Sequence, residues 1–307
     1  MLKSIAIQSL YILKETIVEN LKGARILITG GAGFIGSSLV KKLIENNAEV
    51  YVIDITVLPK SIFALNDLEK KVKLQILDVR DKDKVRDFLE GTKIEYVFHL
   101  AAMASVLIGY EDPSITFETN IMGTVNILEA VRKSKHVKGI IVASSDKAYG
   151  KTNQAYTEES FLKGSDPFGV SKSSADLICQ AYYKTYNTPV VITRFSNVYG
   201  EGDLHFDRLI PEICKSLVMD KVFQVRSDGT YRRDFIYIQD VVNGYLTLLQ
   251  HIEYIHGEAY NFSSADNLSV IEVINKLVSF EVFADEFDEM ERQAKIISSW
   301  GDNVYVK

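Results

Sequence analysis

The chain has 307 residues, enough for one large α/β domain or for a domain with a smaller appendage. Apolar residues make up 47% and charged residues 25%, a globular balance, and the formal net charge of −6 leaves no basic excess to neutralise nucleic-acid phosphates. No apolar run reaches membrane-spanning length, and the isolated cysteines, Cys179 and Cys214, form no CxxC pair or ligand cluster, so a cytoplasmic protein without a metal site is expected.

In chain order, residues 4–20 read as an amphipathic helix rather than a signal peptide. The apolar stretch Ile5–Leu13 is broken by Gln8 and Ser9, and no small-residue cleavage site follows it. Strands are predicted at Arg25–Thr29, Glu49–Ile53, Lys73–Leu77, Tyr96–Leu100, Gly139–Ala143 and Val190–Arg194. Between them lie helical stretches: from Gly36 to about Asn46, Asp81–Glu90, Pro113–Lys133 and Asp166–Tyr186. Nearly continuous apolar strands alternating with helices predict a parallel sheet buried on both faces. Beyond Phe195 the rhythm shortens: a helix over Phe206–Met219, strands at Val222–Val225 and Asp234–Ile238, a helix over Val241–His251 and a strand at Ala259–Phe262. The predicted fold class is α/β, a doubly wound parallel sheet of the Rossmann type with a smaller, partly discontinuous C-terminal region. Its parts are a leader over 1–22, a main domain over 23–195 to which 234–251 returns, and a second region from 196–233 and 252–307.

Gly30, Gly33 and Gly36 follow the first strand and open a helix, with Phe34 and Ile35 between the last two. The first glycine allows a tight turn, the next lets backbone approach a pyrophosphate, and the last permits close helix–strand packing. The helix N-terminus offers unpaired N–H groups to phosphate. Asp54 ends the next strand, 18 residues after Gly36, where a carboxylate can accept from a ribose diol. No arginine directly follows it to meet a 2′-phosphate, which favours NAD over NADP. Asp78 and Val79, after the third strand, are placed to contact adenine. Leu100, Ala101 and Ala102, after the fourth, leave room for the cofactor across the sheet edge.

These motifs, with Thr119–Thr124, Ser144–Gly150, Pro167–Lys172 and Arg194–Gly200, make the chain resemble an extended short-chain dehydrogenase/reductase of the NAD-dependent epimerase/dehydratase family, over about Gly23–Asn275. Within that family Ser145-Asp146-Lys147-Ala148-Tyr149-Gly150 resembles CDP-glucose 4,6-dehydratases most. Tyr199–Asp203 and Arg208-Leu209-Ile210-Pro211 agree. The resemblance implies a nucleotide-sugar substrate and a role for each residue. Ser145 would hydrogen-bond the sugar C4 oxygen. Asp146 would protonate the departing 6-hydroxyl, and Lys147 would remove the C5 proton or tune Asp146 by charge. Lys172 would bind the nicotinamide ribose, Asn197 and Tyr199 would turn the chain toward the sugar nucleotide, and Arg208 and Arg233 would clamp its diphosphate. Asn120, counted with the cofactor site, is expected to support active-site backbone.

One position departs from the pattern. Phe168 stands where the family has the tyrosine of Tyr-x-x-x-Lys, so the hydroxyl that carries the proton is missing and slow turnover or none is expected. A substitution made to trap bound substrate and a natural departure both remain open as its origin. The C-terminal stretch, from Asp285–Gln293 to Trp300, also departs from the family's usual lid. The resemblance further implies a homodimer through the Pro113–Lys133 and Asp166–Tyr186 helices. Two other functions stand beside dehydration: 4-epimerisation on the same scaffold, and non-catalytic binding of NAD or a sugar nucleotide.

Overall fold

A computed structural model of the chain describes residues 21–151, 155–264 and 266–281. The helix expected over 4–20 and the stretch beyond 281 lie outside the described residues. The main sheet holds seven parallel strands: Arg25–Thr29 (β1), Glu49–Asp54 (β2), Lys73–Ile76 (β3), Tyr96–His99 (β4), Gly139–Ala143 (β5), Val190–Phe195 (β6) and Ala259–Phe262 (β9), in the order β3-β2-β1-β4-β5-β6-β9. The order reverses between β1 and β4. That reversal opens a crevice at the carboxyl ends of the strands, where ligands bind in such sheets. β9, expected in the second region, pairs with β6 instead.

Alternate residues of β1 serve opposite faces, which is why the strand is apolar throughout. Ile26 and Ile28 join one core cluster with Leu39 and Leu43 of helix Phe34–Glu45 (α1) and Tyr245 and Leu249 of helix Ile238–His251 (α9). Leu27 joins the other with Val85 of helix Lys82–Gly91 (α3), Ile127 of helix Gly123–Lys133 (α6) and Cys179 of helix Pro167–Tyr186 (α7). A second sheet, in the order β10-β8-β7, is built from Asn197–Tyr199 (β7), Arg232–Tyr237 (β8) and Asn267–Ser269 (β10). It shares a small core with helices Leu209–Val218 (α8) and Val270–Glu281 (α10) through Tyr199, Ile213, Phe235 and Leu277.

Two predicted elements differ, and short helices add to the expected set. Val222–Val225 forms no strand, because no strand among the described residues pairs with it, and Val222 is 97% exposed. The long helix expected over Pro113–Lys133 is Pro113–Phe117 (α5), a π-helical turn at Glu118–Met122, and α6. The widened turn aims Asn120 inward. A short helix, Val106–Glu111 (α4), was not anticipated; Ser105 caps it by accepting from the Ile108 N–H at 3.4 Å. Helix Ile62–Leu65 (α2) is likewise local and capped by Ser61.

One buried pair fixes α7 against β6. The Arg194 guanidinium donates to both Asp176 oxygens, at 2.7 and 2.9 Å, and to the Tyr149 hydroxyl at 2.7 Å. Asp176 and Arg194 are almost fully buried. A buried charge that loses its partner costs about 3–5 kcal/mol. Asp176→Ala is therefore expected to lower unfolding free energy by roughly that amount in urea titration; a loss under about 1 kcal/mol would show that the pair does not pin the helix.

Candidate active site

The glycine turn sits at the strand-order reversal. Gly30 has φ +71°, and a Cβ there would lie 2.8 Å from the Ala101 nitrogen. A Cβ on Gly36 would lie 2.1 Å from the Gly30 carbonyl oxygen. Only glycine fits either place, so α1 begins directly against the strand ends. Gly33 caps α1 without a side-chain acceptor, which leaves the first helical N–H groups directed at the crevice. At the end of β2, Asp54 accepts from Ala32 N–H at 2.9 Å and Ile55 N–H at 2.8 Å. Burial raises its carboxyl pKa, and these backbone donors oppose the rise.

A cleft of about 900 Å³ runs from this turn to the second sheet. It collects Gly30, Gly33, Phe34, Ile35, Gly36, Asp54, Asp78, Val79, Leu100, Ala101 and Ala102 at one end. Ser145, Asp146, Lys147, Phe168 and Lys172 lie on its floor and walls, and Asn197, Tyr199, Arg208 and Arg233 line it from the second sheet's side. Every sequence-predicted site residue except Asn120 meets there. Asn120 is buried behind the wall, where its side chain accepts from Met103 N–H at 2.7 Å and donates to Met103 O at 3.1 Å and Ser171 Oγ at 2.8 Å. It braces the loop after β4 against α7, and so is a wall support rather than a cleft-lining contact. His99 is also structural: its ring bridges Thr29 Oγ1 at 2.7 Å and Thr124 Oγ1 at 3.1 Å. Burial, with the nearby Lys172 charge, lowers its pKa to about 3 and keeps it neutral.

The groups expected to react come from two elements. Ser145 caps the 3₁₀ turn Asp146–Tyr149 after β5 and donates to Asp146 Oδ1 at 3.0 Å. Lys147 Nζ pairs with Asp146 Oδ2 at 2.7 Å. Opposite, Asp166 caps α7 by accepting from Gly169 N–H at 2.9 Å, so Phe168 and Lys172 fall one turn apart on the cleft face. Phe168 is buried and brings a ring but no oxygen. Lys172 is also buried, and its Nζ donates to Ala143 O at 2.7 Å. Burial lowers its pKa to about 8.

Three residues in or beside the cleft escaped the sequence reading. Arg80 forks onto Asp78, with Nη2 2.6 Å from Oδ2, and reaches Glu118 at 3.3 Å. It follows Asp78 by two residues and enters from the third strand, not from the Asp54 end where an arginine was sought. The other two lie between β7 and α8. Asp203, almost wholly buried, accepts the His205 Nδ1 contact at 2.9 Å on one oxygen and Arg208 Nη1 at 3.2 Å on the other. Arg208 also donates to Ala104 O at 3.2 Å, so part of its fork is spent on protein. Arg233 is exposed to the cleft and makes no ion pair with another described residue. Asn197 Nδ2 donates to Asp234 O at 2.8 Å, tying β7 to β8.

The residues fit a dinucleotide. Side chains on Gly30 or Gly36 would fill the cradle, helix N–H groups face it, and a carboxylate stands one strand away. Ser196 Oγ, in the cleft wall, has no partner among the described residues. The model of the NAD dependent epimerase/dehydratase family matches residues 26–263. The chain belongs to this family. Its cofactor is NAD, the dinucleotide of the family. Over 295 residues the chain is 31% identical to CDP-glucose 4,6-dehydratase of Salmonella typhimurium, covering 92% of this chain and 78% of that protein. UDP-glucose 4-epimerase of Thermotoga maritima, solved with UDP-glucose, superposes with a TM-score of 0.77 at 28% identity, over 86% of this chain and 84% of that one. A Tyr-to-Phe mutant of UDP-glucuronic acid 4-epimerase from Bacillus cereus, solved with NAD and UDP-4-deoxy-4-fluoro-glucuronic acid, gives a TM-score of 0.77 at 31% identity, over 84% and 83% of the two chains. No described helix is long and apolar enough to cross a membrane.

Lys172 carries a test of the site's electrostatics. Its folded pKa, about 8, lies below its ordinary value of 10.5. Below pH 8 the amine is charged in both states, and the fold bears the cost of a buried charge. Between pH 8 and 10.5 the unfolded chain holds the extra proton, so stability rises with pH there. In cofactor-free protein Lys172→Met is expected to be more stable than the parent at pH 7, by on the order of 3 kcal/mol at most. The advantage should shrink from pH 8 toward 10, read as thermal midpoints. A constant difference across that range would contradict a buried, depressed amine.

Proposed function

We propose that the chain is an NAD-dependent nucleotide-sugar 4,6-dehydratase of the CDP-glucose type, slowed by Phe168. The reaction is oxidation at C4, loss of water across C5 and C6, and reduction at C6. The observation that carries the reading is the meeting of Ser145, Asp146 and Lys147 with Lys172 in one cleft that begins at a dinucleotide turn. The 31% identity to a CDP-glucose dehydratase over 92% of the chain supports the nucleotide.

NAD, when bound, supplies reversible hydride acceptance, and the chain's own residues do the rest. The first N–H groups of α1 hold the pyrophosphate, and Asp54 accepts from the adenosine ribose. Lys172 donates to the nicotinamide ribose. Ser145 donates to the sugar C4 oxygen. Lys147 takes the C5 proton, and Asp146 gives one to the departing 6-hydroxyl; their 2.7 Å contact lets a proton pass between them. Arg233, with no partner among the described residues, meets the sugar diphosphate, helped by the free part of the Arg208 fork. In this account the main domain, with α9 and β9, carries the cofactor, and the second sheet with α8 and α10 carries the substrate. Exposed Met122, Leu177 and Tyr186 support a homodimer through the Pro113–Lys133 segment and α7. Two buried, unpaired thiols, Cys179 and Cys214, suit a reducing compartment.

The rival within the family is 4-epimerisation, favoured by the likeness to UDP-glucose 4-epimerase. Phe168→Tyr should raise turnover of CDP-glucose by about 10²-fold or more, with a 4-keto-6-deoxy sugar appearing in the NMR spectrum. A C4 epimer formed without loss of water would replace the dehydratase reading. Binding with no turnover in Phe168→Tyr would make the chain a sugar-nucleotide-binding protein.

A further inference from the structure

Position 168 brings no hydroxyl to the cleft, but the cleft holds another proton acceptor. His205 lines it. Its Nδ1 and its backbone N–H both lie against one oxygen of Asp203, at 2.9 and 3.1 Å. Asp203 is almost fully buried and acceptor-only when ionised, so the ring sets Nδ1–H against it, and a neutral ring in this tautomer presents the Nε2 lone pair. No further partner of the ring occurs among the described residues, and the side chain is 42% exposed. His99, at the end of β4, has both nitrogens occupied and does not line the cleft.

The loop is anchored toward the catalytic helix. Ser105 Oγ donates to Asp207 Oδ2 at 3.1 Å, and Arg208 holds Ala104 O. The same segment runs on into α4, whose Gly109 meets the start of α7 at ordinary contact distance, a Cβ there lying 3.4 Å from the Phe168 nitrogen. Residues 104–109 thus link the loop that carries His205 to the start of α7, where Phe168 stands.

Resting on the proposed dehydration, we infer that His205, oriented by Asp203, is the general base that replaces the missing tyrosine in this chain. The sugar hydroxyl's O–H bond breaks and the proton goes to Nε2. The electron pair of the adjacent C–H bond leaves as hydride to the oxidised nicotinamide dinucleotide, and a C=O bond forms. The imidazolium is held beside the Asp203 carboxylate, so no charge is stranded in the cleft.

The test uses the full chain with CDP-glucose and NAD. His205→Asn keeps a side-chain amide near Asp203 but has no basic nitrogen. It is expected to lower kcat by about 10²-fold or more while KM stays within a few-fold. CDP-glucose affinity by calorimetry should be kept, and the His205 ring NMR signals of the parent should shift when CDP-glucose is added. In a Phe168→Tyr background the same change should cost little, because the hydroxyl is restored. Loss of affinity with unchanged kcat would make His205 a diphosphate contact and overturn the inference. So would a parent chain without turnover beside an active Phe168→Tyr variant. An inactive Phe168→Tyr variant would instead overturn the dehydratase reading itself.

Discussion

The site depends on one close approach. The backbone of the first turn comes so near the ends of β1 and β4 that no side chain fits at Gly30 or Gly36. This contact seats α1 at the point where the strand order reverses, with its N–H groups facing the crevice. It also sets the spacing between the turn and Asp54, whose carboxylate is held by the Ala32 and Ile55 N–H groups, as the proposed phosphate and ribose roles require. A larger residue at either position would push the helix off the sheet and close the cofactor end of the cleft.

The catalytic end is fixed differently, by buried polar contacts. Arg194 joins Asp176 on α7 to Tyr149 in the turn that carries Ser145, Asp146 and Lys147. Asn120 joins the same helix to the loop after β4. These ties hold Phe168 and Lys172 opposite the Ser145 turn although the segments are far apart in sequence. None of these ties runs through the side chain at position 168, so the arrangement does not depend on a hydroxyl there.

The main sheet was legible because its strands are short, apolar and flanked by helices of ten or more residues. The cofactor turn was legible because glycine spacing and Asp54 report backbone geometry directly. The π turn at Glu118–Met122 was not, since one extra residue per turn leaves no mark on apolar periodicity. The strand expected at Val222–Val225 failed because β propensity does not supply a partner strand. His205 and Asp203 were missed for a related reason. They lie in a loop two residues apart, and their pairing depends on Asp203 being buried, which sequence does not reveal. The density of charged side chains in Asp203–Arg208 was the signal available. Arg80 was missed because the search for a cationic neighbour stopped at the second strand.

A dinucleotide end and a sugar-diphosphate end sharing one cleft is the central claim. Native mass spectrometry of the purified chain, before and after addition of CDP-glucose, addresses it most directly. The expected spectrum shows each chain carrying NAD, and then a further mass for the sugar nucleotide on that same complex without loss of the first. A chain that keeps its bare mass with both ligands in excess, or that releases one ligand when the other binds, would contradict it.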